Sequence, residues 1–311
     1  MEASHIPVLL NEALEFLKPE SGGIYVDGTL GMGGHTGEIL KRSHPGGRVI
    51  GIDRDTEALK VAKERLQGFE DRVQIIHGNF ADVGKIAEGL GIKEVDGILL
   101  DLGVSSMQID TATRGFSFLR DAPLDMRMDT TAGITAADIV NNYSVEELQA
   151  LLWGLGEEGY SRRIAKEIAK ARDTARIETT RELAQLVERS IPRKDWPKQI
   201  HPATKTFQAL RIAVNDELGS LEQGLNDGIN LLREGGRFCV ISFHSLEERI
   251  VKNRFRNWEN PCICPPSLPV CRCWKVKVAR VLTKKGIKAT EDEIKANPRA
   301  RSARLRVAEK V

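Results

Sequence analysis

In the first hundred residues, short unbroken apolar runs alternate with stretches whose apolar positions recur at three and four. Gly23 to Asp27, "RVIGID" (48–53), "VQIIHGNF" (73–80) and "VDGILLDLG" (95–103) are the runs. They are short, rich in β-branched residues and closed by an acid or glycine, so each predicts a strand. Their apolar positions are continuous rather than alternating, as expected when both faces of a parallel sheet are covered. Between them lie "HTGEILKR" and "DTEALKVAKERLQ", the second with Ala58, Val61, Ala62 and Leu66 at helical spacing. Strand and helix in alternation predict an α/β, doubly wound, mostly parallel sheet.

Such a sheet holds ligands at the carboxyl ends of its strands. Those ends carry the stretch "DGTLGMGGHTG", with Gly28, Gly31, Gly33, Gly34 and Gly37, and also Asp53, Phe80 and Asp101. Glycine clusters where the backbone turns through positive φ or where something approaches it closely. Asp53 follows Gly33 by 20 residues, near the spacing at which an acid meets ribose hydroxyls in nucleotide-binding folds. The loop is not G-x-G-x-x-G, and no second three-strand half follows to hold a nicotinamide. Carboxylates at three strand ends (Asp27, Asp53 and Asp101) repel a pyrophosphate and suit a cation. The residues therefore favour S-adenosylmethionine over NAD, with an NAD-dependent oxidoreductase as the competing reading.

After "DLGVSS" the pattern changes, and the next convincing strand, "GRFCVISF" (236–243), is more than a hundred residues away. The gap opens on an irregular stretch, "TRGFSFLRDAPLDMRMD". Helical segments follow: "SVEELQALLWGL", where Ser144 and Glu147 have capping-box spacing, then "SRRIAKEIAKAR" and "TRELAQLVERSIP". The prediction is a helical insertion over 110–200 that divides the α/β domain into 1–109 and 201–311. At that edge it would roof the crevice and recognise substrate. The stretch from His201 to Gly236 reads as continuously helical. The fifth strand ends in "SFHSLEER", placing Ser242 and His244 at the active edge.

Charge adds a partner to this picture. The whole chain of 311 residues has a net charge of +2, but from Arg249 onward 17 Lys and Arg face 5 Asp and Glu. That is a net of +12 on a body near −10, a basic tail that predicts a polyanion, nucleic acid first. The N-terminus has Glu2 where a signal peptide needs positive charge, and no apolar run reaches membrane-span length. The expectation is a cytoplasmic protein with no membrane partner, whose cysteines stay reduced or bind metal. Cys262, Cys264, Cys271 and Cys273 fall within twelve residues. Their C-x-C pairs are tighter than the usual zinc spacing, so reduced thiols are expected, with zinc as the alternative. Cys239 reads as core.

The motifs "HIPVLLNEAL", "DGTLGMGGHT", "DLGVSS", "RGFSF", "PLDMRMD", "HPATKTFQALRIAVNDEL", "GGRFCVISFHSLEER" and "NPRARSARLRV" run in order from His5 to Arg306. Together they closely resemble the RsmH (MraW) family of bacterial ribosomal RNA methyltransferases. The resemblance implies a Rossmann-like, S-adenosylmethionine-dependent methyltransferase domain interrupted by a helical substrate domain. It implies methylation of the exocyclic N4 of a cytidine in the decoding region of 16S rRNA, on the RNA or on the small ribosomal subunit. It assigns the cofactor to Gly33, Gly34 and His35 (methionine end), Asp53 (ribose), Phe80 (adenine), Asp101 and Gln108. Asp101 is also the first candidate, by position, for the catalytic acceptor of an N4 proton. Arg127, Lys205, Arg211 and His244 are candidates for RNA contact; Phe116, Phe118, Trp258 and Trp274 are candidate stacking platforms. An RNA-binding assembly factor without turnover is a second competing reading, and the sequence is compatible with a homodimer.

Overall fold

The computed structural model describes residues 7–265, 270 and 272–311. The chain forms two compact units, one of residues up to Gly103 with Leu218–Val311, the other Val104–Glu217.

The first unit is a seven-stranded sheet. Its strands are β1 (Ile24–Asp27), β2 (Arg48–Asp53), β3 (Val73–His77), β4 (Val95–Asp101), β5 (Leu232–Ser242), β6 (Ala279–Val281) and β7 (Arg304–Lys310). The order is β3-β2-β1-β4-β5-β7-β6. All pairs from β3 to β5 are parallel, and β7 runs antiparallel to both β5 and β6. Successive side chains of a strand point to opposite faces, and both faces here are cores. Ile98, Leu100, Phe238 and Val240 belong to one apolar cluster. Their neighbours Leu99, Cys239 and Ile241 belong to the other. This is why the runs are continuous in sequence. β1 lies between β2 and β4, so strand order reverses there and a crevice opens at the carboxyl ends.

The basic tail departs from expectation. Arg304–Lys310 is a strand inside the sheet, with Leu305, Val307 and Ala308 fully buried. Arg306 is buried too, donating to Glu248 Oε1 from Nε at 2.9 Å and from Nη2 at 2.6 Å. Arg237 Nη2 on β5 reaches Glu309 at 3.1 Å on β7. The motif "NPRARSARLRV" is therefore fold as much as charge. Its Arg306 stands between apolar residues and faces a carboxylate 58 residues away in sequence, which composition cannot reveal. β5 also begins four residues earlier than the pattern sets it, with its pairing to β4 irregular between Val95 and Gly97.

The second unit is helical, with a core of its own that includes Leu148, Leu152, Ile164, Ile168, Leu183, Val187 and Leu210. Ser144 and Glu147 form the expected capping box on the helix Val145–Gly156. This unit spans 104–217 where the pattern set 110–200, because the helix Thr204–Asn215 packs against Val145–Gly156. The predicted continuous helix breaks at Asp216, whose φ of 45° is left-handed, and resumes as Glu217–Leu231. Among the described residues no helix is long and apolar enough to cross a membrane.

Candidate active site

The crevice of the first unit is built on a buried carboxylate. Asp27, at the end of β1, is 1% exposed and bonds to the glycine loop and the helix that follows it. Its Oδ2 accepts from Thr36 Oγ1 at 2.7 Å and its Oδ1 from the Thr29 amide at 3.3 Å. Burial pushes its carboxyl up to about 6, against the pull of those two bonds. Its work is to pin both ends of the loop. Thr29 then accepts from the Asp101 amide at 2.6 Å, tying β1's loop to the end of β4.

The glycines have two different reasons. Gly33 caps the helix Gly34–Arg42 with φ 77°, a left-handed conformation that favours glycine. Gly34 is small because a Cβ there would stand 2.5 Å from Pro7 Cγ. The protein's own packing thus accounts for part of what a ligand seemed to require. The loop's amides are largely spent within the protein, Gly28 N on the Leu99 carbonyl and Leu30 N on that of Ile52. Gly31 N donates to Asp53 Oδ2 at 2.7 Å, and Asp55 N to Asp53 Oδ1 at 2.9 Å. These bonds fix the Asp53 carboxylate at the end of β2, and burial raises its carboxyl above the ordinary range.

Phe80 lies just past β3, at the start of a short 3-10 turn capped by Asn79. A Cβ on Gly28 would stand 2.9 Å from Phe80 Cβ, and one on Gly224 only 2.6 Å from its Cδ2. The ring is thus seated between two backbones. Gly224, on the helix Glu217–Leu231, went unnoticed in sequence; its signal was a glycine at a buried helical position.

Asp101, at the end of β4, has the least settled carboxylate of the set. Among the described residues its Oδ1 is buried without a hydrogen-bond partner. Its Oδ2 lies 3.8 Å from His35 Nδ1. His35 Nε2 is 3.1 Å from the Val8 carbonyl, which can only accept, so Nε2 carries a proton. Burial raises the Asp101 carboxyl well above its usual range, and the charges of Asp27 and Glu247 push it further. An unfilled, buried acceptor at the crevice calls for an N–H or O–H donor from outside the chain.

His244, just past β5, has both ring nitrogens buried, with Nε2 3.0 Å from Glu247 Oε1, yet among the described residues neither nitrogen makes a hydrogen bond. Glu247 is buried and also accepts from the Phe243 amide at 2.8 Å. The three-residue spacing of His244 and Glu247 at a helix start was the available signal for this pair.

The remaining candidates belong to the second unit. Gln108 is buried, and its Oε1 accepts from the Ser105 amide at 3.0 Å in a capping box on the helix Ser106–Asp110. Arg127 meets Asp125 through Nε at 2.9 Å and Nη2 at 2.8 Å. Arg211 meets Glu217 in the same two-pronged way at 2.8 and 2.9 Å. Both cations thus carry a carboxylate with them. Lys205 donates to the Glu157 carbonyl at 3.0 Å, a contact that leaves its charge uncompensated. Phe116 and Phe118 pack against this unit's core. In the first unit Trp258 is buried against Phe255 and Phe238, which removes it as a platform, whereas Trp274 is 87% exposed.

A model of the MraW methylase family matches residues 2–311. Ribosomal RNA small subunit methyltransferase H of Geotalea uraniireducens is 52% identical over 307 residues, covering 99% of this chain and 98% of its own. The protein of that name from Syntrophotalea carbinolica is 56% identical over 302 residues, with 97% and 96% covered. The one from Clostridioides difficile is 48% identical over 311 residues, and both chains are covered in full.

Proposed function

The chain belongs to the MraW methylase family, and on that premise we propose that it methylates small-subunit ribosomal RNA. The full reading is transfer from S-adenosylmethionine to the exocyclic N4 of a cytidine in the decoding region of 16S rRNA, in the cytoplasm. Three features support the cofactor: a carboxylate fixed for hydroxyl groups (Asp53), an aromatic residue against Gly28 of the loop (Phe80), and a glycine loop running into Gly34–Arg42. Gly33, Gly34 and His35 would hold the methionine end, with Asp101 and Gln108 completing the set. When bound, S-adenosylmethionine supplies an electrophilic methyl group.

The buried, unpartnered Asp101 Oδ1 is the observation that carries the catalytic assignment. The N4 lone pair of cytosine is delocalised into the ring, so an acceptor for an N4 proton lets the nitrogen become nucleophilic. A carboxyl raised by burial is a stronger base than one in water. Alignment of N4 with the methyl group supplies the rest; positioning contributes ~7–11 kcal/mol in favourable cases. The helical unit reads the RNA, with Lys205 its candidate phosphate contact and Arg127 and Arg211 holding its framework.

Small subunits from cells lacking the protein, given S-adenosylmethionine with a labelled methyl, should yield labelled N4-methylcytidine on digestion. Label on another base refutes the N4 assignment, and absence of label supports the assembly-factor reading. Asp101→Asn separates the two uses of that carboxylate. Retained cofactor affinity with turnover lost at least a hundredfold marks a proton acceptor, whereas loss of affinity marks a cofactor ligand.

A further inference from the structure

Between the helix Ser245–Glu259 and β6 lies a loop that has no reason to be ordered by its own packing. Its ends are pinned: Asn260 N donates to Arg256 O at 2.8 Å, and Val278 N to Trp258 O at 2.8 Å. Between those pins the described large apolar residues face outward, with Ile263 70%, Val270 69%, Trp274 87% and Val276 76% exposed. A segment that buries so little must find its order elsewhere.

The same loop gathers thiols. Cys262, Cys264 and Cys273 bring their sulfurs within 4.8 Å of one another. Cys262 Sγ and Cys273 Sγ are 3.8 Å apart. That is far beyond a disulfide bond of about 2.05 Å. It equals the edge of a tetrahedron around zinc, since Zn–S bonds of about 2.3 Å set neighbouring sulfurs about 3.8 Å apart. The Arg272 amide lies 3.3 Å from Cys264 Sγ as a donor, the arrangement that stabilises a metal-bound thiolate. No Asp or Glu occurs from Asn260 to Thr290, and Arg272, Lys275 and Lys277 surround the thiols in sequence. Cations lower thiol pKa values and balance the negative charge of a zinc–trithiolate. Cys271, the fourth thiol of the motif, lies outside the described residues.

We propose that Cys262, Cys264 and Cys273 bind a structural zinc ion that orders the loop between Ser245–Glu259 and β6. The thiolates give up their protons on binding and no electron is transferred. The tight C-x-C spacing is accommodated because the ligands come from both arms of a folded-back loop. Zinc here would hold Trp274, Arg272 and Lys275 on one stiff tip. Cys239, buried on β5 with its thiol pushed up to about 12, is no part of this site.

The full-length protein, purified without chelator or added metal, should contain about one zinc per chain by elemental analysis. Replacement by cobalt should give the strong near-ultraviolet charge-transfer absorption of thiolate ligands. Cys262→Ser/Cys264→Ser should lose both signals while its far-ultraviolet circular dichroism stays that of the parent. Chelation of the parent should speed protease cleavage within the loop at least tenfold. Less than a tenth of an equivalent of zinc, with no cobalt absorption on titration, overturns the site. So does metal retained by the double variant, or an intact mass two hydrogens short, the mark of a disulfide, with Cys262 and Cys273 joined in one peptide map fragment.

Discussion

Replacing Arg306 with Met separates a tail that belongs to the fold from a tail that reaches for RNA. The guanidinium is 6% exposed, sits on β7 opposite Val240 of β5, and meets Glu248 at 2.6 Å. Its Nη1 also lies 3.4 Å from the Thr283 carbonyl and 3.3 Å from that of Lys284. Methionine keeps the apolar stem but leaves the Glu248 carboxylate and two carbonyls without their donor. Breaking a fully buried pair costs about 3–5 kcal/mol. Glu248 is a quarter exposed, so water recovers part of that, and about 2–4 kcal/mol remains. Against a total stability of about 5–15 kcal/mol this is a large loss.

Urea unfolding reads it directly, as a lower midpoint with an unchanged slope. Glu248→Gln in the Arg306→Met background should cost less than the two changes summed, because the stranded charge is gone. RNA binding by the folded fraction should keep its salt dependence, since a lost contact to single-stranded phosphate lowers the log–log slope by about 0.7. A stability change under about 0.5 kcal/mol with a flattened salt slope would refute the reasoning and return Arg306 to the RNA.

Gly33→Ala must hold alanine at φ 77° with Leu66 Cδ1 3.1 Å from the new Cβ; it should cost about 1–2 kcal/mol in urea unfolding, and no change would mean the loop relaxes freely. Asp27 gives a pH signature: its folded carboxyl is raised to about 6 from 3.8, so the folded state holds the proton longer. Its contribution to stability is therefore full below about pH 4 and falls by about 3 kcal/mol as pH rises through 6. The Asp27→Asn variant should lack that fall, and parallel stability–pH curves for the two proteins would exclude it. Lys205→Ala should weaken RNA binding and its salt dependence while leaving stability within about 0.5 kcal/mol. Arg211→Ala, which strands a Glu217 side chain only 8% exposed, should instead destabilise by about 2–4 kcal/mol. The opposite ordering in unfolding and binding assays would refute this division.

The parallel strands were legible because burial on both faces leaves a signal every residue carries. Ile98, Leu99 and Leu100 go to alternate cores, so no polar residue interrupts the run. Ser144 and Glu147 were legible because a capping box is local chemistry at fixed spacing. The break at Asp216 was not, because neighbours on both sides keep helical periodicity and one left-handed residue changes only direction. The role of Asp27 was hidden for a related reason. Position at a strand end is visible in sequence, but whether a carboxylate faces the crevice or the loop beneath it depends on Thr29 and Thr36.

Charge was the least legible feature, and its redistribution sharpens the view of the RNA contact. Counting residues treats each arginine as a cation offered to solvent, yet Arg306 is neutralised by Glu248, and both Arg237 and Arg280 meet Glu309. Arg127 and Arg211 are likewise held by Asp125 and Glu217. The +12 of the last 63 residues is therefore not spread along a loose arm. Arg272, Lys275, Lys277, Lys284, Lys285 and Lys288 are exposed, in a stretch without a single acid, and two of its segments flank β6. An uncompensated cluster in one place raises a local potential that scattered, paired cations cannot. On the proposed reading a polyanion is drawn to those exposed cations rather than to β7, whose Arg306 is held by Glu248.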